Sequence, residues 1–242
     1  VTKDTEATVK WINELVDGSG NYLPHIIQDA DGNPIIDQTL HWAAPNQDCR
    51  NGVTGPDGET DCRGASDQPY FGPIPMVVHV HGAHVGPGSD GYPEAWWLPK
   101  ADNIDCTNVT GDDTPETRDD FDCNGTFFES AEGDDTLNAL GQGYAIDIYP
   151  NDQPTTTLWY HDHSLGITRL NVYAGLAGFY IVRDDFDTGK LGNPLDLPAG
   201  PYELAYAIQD RMFTVDGQLF YPSYPGDPFY DDFITGEDPV LP

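Results

Sequence analysis

The chain has 242 residues, of which 38% are hydrophobic and 12% aromatic, so it can bury a packed core and lacks the composition of a disordered tail. Its 41 acidic residues outnumber its 10 Lys and Arg residues, and the formal net charge of −31 would repel nucleic-acid phosphates and anionic lipids. No apolar run approaches the roughly 20 residues that a membrane-spanning helix needs. We therefore expect neither nucleic-acid nor membrane partners.

Short runs of β-branched and aromatic residues alternate with turns along the whole chain, which contains 26 Gly and 21 Pro. This pattern is typical of an all-β protein. In chain order, the predicted strands are 8–12, 76–80, 144–149, 156–161, 178–182 and 202–209. Helical turns are predicted only at 135–140 and 168–173.

The same pattern predicts two domains of unequal extent. Residues 1–183 form the first domain, which carries two long loops at 44–72 and 84–125. Residues 184–201 are punctuated by proline and predict a linker. A second domain is expected to begin at 202 and to continue to 242.

The four cysteines lie in those two loops and suggest disulfide bonds. Cys49 and Cys62 share the first loop, and Cys106 and Cys123 share the second. No C-x-x-C motif is present, which argues against a zinc ribbon or a thioredoxin-like site. Four cysteines allow three pairings, and proximity in sequence favours Cys49–Cys62 and Cys106–Cys123. Disulfides form in oxidising compartments, so a secreted protein is expected.

Two further features bear on the environment of the protein. Sequons at Asn108 and Asn124 would allow N-glycosylation, although such motifs are frequent by chance. The excess of acidic residues runs along the whole chain, and dissolved ions would screen their mutual repulsion. A salt-rich, halophilic habitat is the preferred interpretation, and an ordinary acidic exported protein is the alternative.

Histidines carry the strongest indication of chemistry. His79 and His81 alternate in one predicted strand, and His161 and His163 alternate at the end of another. Residues i and i+2 of a strand point to the same face, so each pair directs two imidazoles to one spot. Neutral imidazole binds zinc, copper, iron and nickel. Buried structural histidines, or a mononuclear zinc or iron site in a cupin-type jelly roll, stay open as alternatives.

The sequence around these pairs resembles the copper motifs of multicopper oxidases, in particular bacterial spore-coat-type laccases, bilirubin oxidases and phenoxazinone synthase. The first copper motif is similar to Met76-Val-Val-His-Val-His-Gly82 followed by Asp90-Gly-Tyr-Pro-Glu-Ala-Trp96. The second is similar to Thr157-Leu-Trp-Tyr-His-Asp-His163 and the residues that run on to 178. Residues 210–213 and 216–222 resemble the opening of the second domain in that group.

The resemblance implies a cupredoxin-like Greek-key β-sandwich without its opening strands, followed by the start of a second cupredoxin domain. It also implies a laccase-like enzyme that oxidises phenolic or similar small substrates and reduces O₂ to water. By motif position, His79 would bind the type 2 copper. His81 and His161 would bind one type 3 copper, and His163 would bind the other. This chain would thus supply half of the ligands of the trinuclear cluster.

Other residues are interpreted against the same family pattern. Asp90 stands where this group places a carboxylate near the copper cluster, and it could relay protons to O₂, although Asp90-Gly91 is also a good turn. His84 is interpreted as a neighbour of the site or a surface residue rather than a fifth ligand. His25 and His41 lie in loop-like sequence, while Trp96, Trp97 and Trp159 are expected to form core or wall.

Part of the family pattern is absent from the sequence. None of the four cysteines has a neighbouring histidine, so the sequence contains no type 1 copper site, and the other two copper motifs of the family, a further H-x-H and an H-C-H, are missing. The resemblance therefore implies that the remaining C-terminal part of the same oxidase completes the trinuclear cluster and carries the type 1 copper. A non-catalytic copper-binding module and an oxidase of Mn, Cu or Fe ions stay open as alternatives.

Overall fold

The structure is a computed structural model that describes residues 1–24, 72–106, 120–125, 127–128, 141–213, 217 and 219–220. In chain order, the strands of these segments are β1 (Ala7–Ile12), β2 (Val78–His81), β3 (Asp105–Cys106), β4 (Asp120–Phe121), β5 (Tyr144–Tyr149), β6 (Thr156–Asp162), β7 (Ala177–Val182), β8 (Met212–Phe213) and β9 (Leu219–Phe220). One α-helix, α1 (Thr168–Ala174), lies between β6 and β7. The predicted all-β class is confirmed, since strands predominate in these segments, and their sheets are open rather than closed.

Two sheets contain the longer strands. β1 pairs with β5, while β2, β6 and β7 form a three-stranded sheet in which β6 is central, and all of these pairings are antiparallel. The short strands β3 and β4 pair in parallel, and β8 pairs antiparallel with β9. Within the described segments, no helix is long and apolar enough to cross a membrane.

The core lies beneath the strand that carries the first histidine pair. Along β2, Val78 and Val80 are buried while His79 and His81 are more exposed, as the two-residue period of a strand requires. Val78 packs with Trp96 and Trp97 in one apolar cluster, and Val80 packs in a second one. Burial of each valine side chain contributes roughly 1.5–3 kcal/mol, which holds the histidine side of β2 outward.

Helix α1 begins shortly after the second histidine pair and ends in a glycine cap. Gly175 has a φ of 117°, and its N–H donates to the carbonyls of Asn171 and Val172. A left-handed residue at this position closes the last turn, and glycine adopts it without steric cost. The chain then turns directly into β7, which pairs with β6 beside the second histidine pair. The predicted helical turn at 168–173 is confirmed.

Two predicted strands differ from the structure. The prediction at 76–80 began too early, because the Val77 N–H donates to the Asp162 carboxylate instead of a backbone carbonyl of β6, although the Val77 carbonyl still accepts from the His163 N–H. The strand predicted at 202–209 is wrong. Within the described segments no strand pairs with these residues, and Ile208 is 97% exposed. A strand needs a hydrogen-bonding neighbour, and apolar alternation alone does not provide one.

The second predicted loop is tied down by a disulfide bond between Cys106 and Cys123, as expected. Cys123 is buried in the cluster around Trp97, so the bond anchors the loop to the core. The sequon residue Asn124 is also buried, and its side-chain oxygen accepts a hydrogen bond from the Gly141 N–H. Glycosylation at this sequon stays a prediction.

Several predictions lie outside the described residues. They are the Cys49–Cys62 bond, the helical turn at 135–140, nearly all of the loop at 44–72, and the sequon at Asn108. The domain boundaries at 183 and 202 stay predictions.

Reduction of the Cys106–Cys123 bond should destabilise the fold. The bond joins cysteines 17 residues apart, and a crosslink over a loop of about this length contributes roughly 3 kcal/mol by restricting the unfolded chain. We expect Cys106→Ser to lower the melting temperature, measured by circular dichroism under oxidising conditions. Added reductant should lower the melting temperature of the parent chain more than that of the variant. An unchanged melting temperature in the variant would contradict this expectation.

Candidate metal centre

The pairing of β2 with β6 brings the two H-x-H pairs together. In the antiparallel register, His79 stands opposite His161, and His163 follows the end of β6. The ring centre of His79 lies 5.5 Å from that of His81, 5.5 Å from that of His161 and 5.2 Å from that of His163. The ring centres of His161 and His163 are 5.7 Å apart. Four imidazoles thus surround one small space.

Two of these rings already present ligand atoms at a separation that suits one metal ion. Nδ1 of His81 lies 3.2 Å from Nε2 of His161. Two nitrogens bound to one ion at about 2.0–2.1 Å, with an angle of about 90–110° between them, lie roughly 2.9–3.4 Å apart. A proton shared between these nitrogens would be released when a metal ion binds. The ligand atoms of His79, His81 and His161 all fall within 4.8 Å of one another.

Backbone carbonyls fix the orientation of two rings. Nδ1 of His79 lies 2.5 Å from the carbonyl oxygen of Asp90, and Nδ1 of His161 lies 2.7 Å from that of Asp162. A carbonyl oxygen can only accept, so each Nδ1 must carry the proton and donate it. Each Nε2 therefore keeps its lone pair for a metal ion, which is the usual way in which ligand histidines are held.

Electrostatics keep the deeper histidines neutral. Burial lowers the pKa of His161 and of His163 from the ordinary value of 6.5, and the neighbouring His79 adds to both effects. Only the neutral imidazole has a lone pair to give to a metal. Nδ1 of His163 is buried and has no hydrogen-bond partner among the described residues, so this ring still has a nitrogen without a protein partner.

Asp162, the residue between the second pair of histidines, holds the backbone segments that carry the ligands. Its buried carboxylate accepts hydrogen bonds from the N–H of Val77 at 3.0 Å, from the N–H of Ser164 at 3.0 Å and from the Ser164 hydroxyl at 2.9 Å. The His163 N–H in turn donates to the Val77 carbonyl at 2.9 Å. The end of β6 is thereby locked to the residue that precedes β2.

A second set of bonds extends this lock to helix α1. The side-chain amide of Asn171 donates to the Pro75 carbonyl at 3.0 Å. The Ser164 hydroxyl lies 3.3 Å from the same carbonyl oxygen. Burial raises the pKa of Asp162 to about 6, against the lowering effect of its hydrogen bonds to Val77, Ser164 and Asn171. Asp162 was not singled out from the sequence. Its position between two candidate ligands is the signal that could have found it.

Asp90 lies at the edge of the centre. Its carboxylate is 54% exposed and lies 3.4 Å from Nδ1 of His79. Gly91 has a φ of 78°, and a side chain there would come within 2.3 Å of the Val78 carbonyl oxygen. Only glycine allows the turn to approach β2 this closely, and the approach brings the Asp90 carbonyl to His79. The structure thus places Asp90 in a turn and its carboxylate beside His79, and its function as a proton relay stays a prediction.

The remaining aromatic and histidine residues divide between core, wall and surface. Trp96 and Trp97 are buried in the core. Trp159 is instead a partly exposed wall, with its ring centre 4.2 Å from that of His161 and 5.5 Å from that of His81. His84 faces away from the centre and lies 3.3 Å from the Asp152 carboxylate, while His25 and His41 are outside the described residues.

The four histidines open into a wide cavity of about 870 Å³. Besides the histidines and Trp159, its lining includes Arg169, Tyr173, Ile208 and Asp210. The centre is therefore reachable from one side, while β2, β6 and the Asp162 bonds close it from the other.

Comparison with known proteins identifies similar sequences. The chain is 38% identical to a laccase of Bacillus stratosphericus over 240 residues, which covers 99% of the chain and 31% of that protein. It is 31% identical to a laccase of Bacillus subtilis over 94% of the chain and 30% of that protein, and 34% identical to a laccase of Haloferax volcanii over 63% of the chain and 20% of that protein. The chain thus spans between a fifth and a third of the length of these relatives. No protein-family model matches the chain.

Among solved structures, a multi-copper oxidase from Pediococcus acidilactici is similar at 22% identity with a TM-score of 0.31. The alignment covers 52% of this chain and 17% of that one.

Removal of the Asp162 carboxylate should weaken metal binding even when the variant is folded. We expect Asp162→Ala to lower the affinity of the chain for Cu(II) by about 10–100-fold, because partners that orient metal ligands typically contribute this much. Asp152→Ala, at a 62% exposed carboxylate beside His84, is the matched control and should bind like the parent chain. Titration calorimetry measures both, with circular dichroism to establish that each variant is folded. Equal affinities in the two variants would contradict the role assigned to Asp162.

Proposed function

Because this chain belongs to the multicopper oxidase family, we propose that it supplies four histidine ligands to a copper cluster that reduces O₂ to water. The ligands are His79, His81, His161 and His163. The electrons come from a small reducing substrate, phenolic or similar, as in a laccase. The observation that carries this proposal is the convergence of four imidazoles around one space, two of them oriented by backbone carbonyls.

The donor set fits copper. No carboxylate or thiolate lies among the three clustered ligands found in the described residues, and imidazole is a good ligand for copper in both of its oxidation states. Copper supplies the redox chemistry that zinc, with a single oxidation state, lacks. The His81 and His161 nitrogens, 3.2 Å apart, support the assignment of these two residues to one type 3 copper. By motif position, His79 then serves the type 2 copper and His163 serves the second type 3 copper.

This chain's own residues hold the ligands and exclude solvent from one side. The Asp90 and Asp162 carbonyls keep Nδ1 of His79 and of His161 protonated, so that the opposite nitrogens remain basic. The Asp90 carboxylate, 3.4 Å from His79 and half exposed, can take protons from solvent and deliver them beside the ligands. Since reduction of O₂ to water consumes four protons, such a group has a function in every turnover.

The other copper ligands must come from a further part of the oxidase. A trinuclear copper cluster needs about eight imidazoles, and we propose that the remaining C-terminal part of the oxidase brings the others, together with the type 1 copper. It would dock against the open side of the cavity, where Trp159 and Ile208 are exposed. The predicted second domain, beginning at 202, would be completed by the same part.

Loss of one ligand of the cluster should stop O₂ reduction while substrate still delivers electrons to the type 1 copper. In the complete oxidase, His161→Ala should abolish O₂ uptake, since the ring of His161 lies next to those of His79 and His163 and its loss would leave the cluster without one of its ligands. Anaerobic substrate should still bleach the blue type 1 absorption, because that copper lies outside this chain.

His84→Ala is the matched control, since His84 pairs with Asp152 on the surface. It should retain full O₂ uptake and bind the same number of copper ions. An oxidase that still turns over with His161→Ala would refute the proposal. A complete assembly that binds copper yet never consumes O₂ would favour a non-catalytic copper-binding module.

We further propose that the protein is exported and functions in a salt-rich environment. The Cys106–Cys123 bond supports an oxidising compartment. The formal charge of −31 supports a requirement for ions, since unscreened carboxylates repel one another in a compact fold.

Stability should therefore increase with salt. We expect the melting temperature to rise from dilute buffer to the molar range, because the screening length falls from about 30 Å at 0.01 M to about 3 Å at 1 M. NaCl and KCl should act equally, since screening depends on ionic strength. Differential scanning calorimetry in both salts provides the measurement. A melting temperature that stays flat or falls would count against adaptation to salt.

A further inference from the structure

A separate cavity of about 210 Å³ lies between β5 and the loop that follows β2. Small residues leave the room for it: Gly88, Gly91, Ala95 and Ala145 all line its walls. Its apolar surface comes from aromatic rings, including Trp97 and Phe128, whose centres are 6.2 Å apart. None of the four candidate copper ligands lines this cavity, so it is distinct from the metal centre.

One acidic side chain, Asp147, faces this otherwise apolar space. It points inward from β5, in the same alternation that buries Ala145 and Tyr149. Its Oδ2 accepts a hydrogen bond from the Tyr149 hydroxyl at 3.2 Å, and that hydroxyl accepts one from the Trp11 indole at 3.1 Å. The hydrogen bond from Tyr149 thus fixes one side of the carboxyl group, while the group also lines the cavity.

Asp147 lacks a cationic partner in the described part of the chain, where no Lys, Arg or His side chain forms an ion pair with it. Burial raises its pKa to about 7, and the bonds from Tyr149 and Trp11 only partly oppose this effect. A buried acid without a counter-charge is costly to a fold, and such groups are concentrated at functional sites. A cation in the cavity would provide the missing charge.

We propose that this cavity binds a small organic ammonium ion, with its charged group on Asp147 and its apolar body among the aromatic rings. Carboxylate and aromatic faces together are the chemistry that recognises ammonium groups. A divalent metal ion is disfavoured, because it needs several oxygen ligands and the cavity offers one carboxylate. Tyr92 and Phe127 line the cavity, pack edge to face with ring centres 5.5 Å apart and are about half exposed, so the cavity extends to the protein surface beside them. The proposal does not depend on the copper chemistry.

Binding of benzylamine to this 242-residue chain tests the proposal, with benzyl alcohol as the neutral probe of the same shape. Titrations followed by NMR at pH 8, where Asp147 is largely ionised, should show saturable binding of one benzylammonium per chain. Benzyl alcohol should bind at least about tenfold more weakly, since an unpaired buried charge carries a penalty of this order or more. Absence of saturable benzylamine binding, or equal affinity for the two probes, would overturn the proposal.

Two variants locate the binding. Asp147→Asn keeps the size of the side chain and should lower benzylamine affinity by at least about tenfold, whereas Asp152→Asn, on the surface beside His84, should leave it unchanged. Ala145→Val fills part of the cavity without touching the acid and should weaken both probes. If Asp147→Asn is folded by circular dichroism and binds benzylamine as tightly as the parent chain, the site is elsewhere and the proposal is wrong. If Asp147→Asn does not fold, unchanged binding in Ala145→Val has the same consequence.

Discussion

The register between β2 and β6 is the constraint on which the metal centre depends. It sets His79 opposite His161, and a slip of either strand by one residue would turn the histidine pair of that strand toward the core. The valines on either side of His79 oppose such a slip, because Val78 and Val80 are buried on the other face. The Asp162 carboxylate opposes it a second time through its bond to the Val77 N–H. Apolar packing and a polar lock thus specify the same pairing.

This arrangement also explains why the histidines are suited to a metal. A ring held by a carbonyl at Nδ1 cannot turn to find another partner, and burial lowers the pKa of His161 and His163. The glycine that the Asp90–Gly91 turn requires and the buried Asp162 carboxyl group are features that a metal centre at this place explains.

The sequence predicted the parts of this structure that local periodicity determines. Alternation identified β1, β5, β6 and β7, and the histidine spacing identified the residues that converge. It could not reveal the bonds of Asp162 to Val77, which is 85 residues away, or the cavity beside Asp147, since both depend on how distant segments pack. The strand predicted at 202–209 failed for the same reason, because apolar alternation does not show whether a hydrogen-bonding neighbour is present.

The central claim is that His79, His81, His161 and His163 bind copper together. Anomalous diffraction at the copper edge, on crystals of the copper-loaded oxidase, tests it most directly. We expect copper peaks within about 2.0–2.2 Å of a ring nitrogen of each residue, with His81 and His161 sharing one ion. A peak away from these rings, or any of the four imidazoles turned from the cluster, would contradict the account.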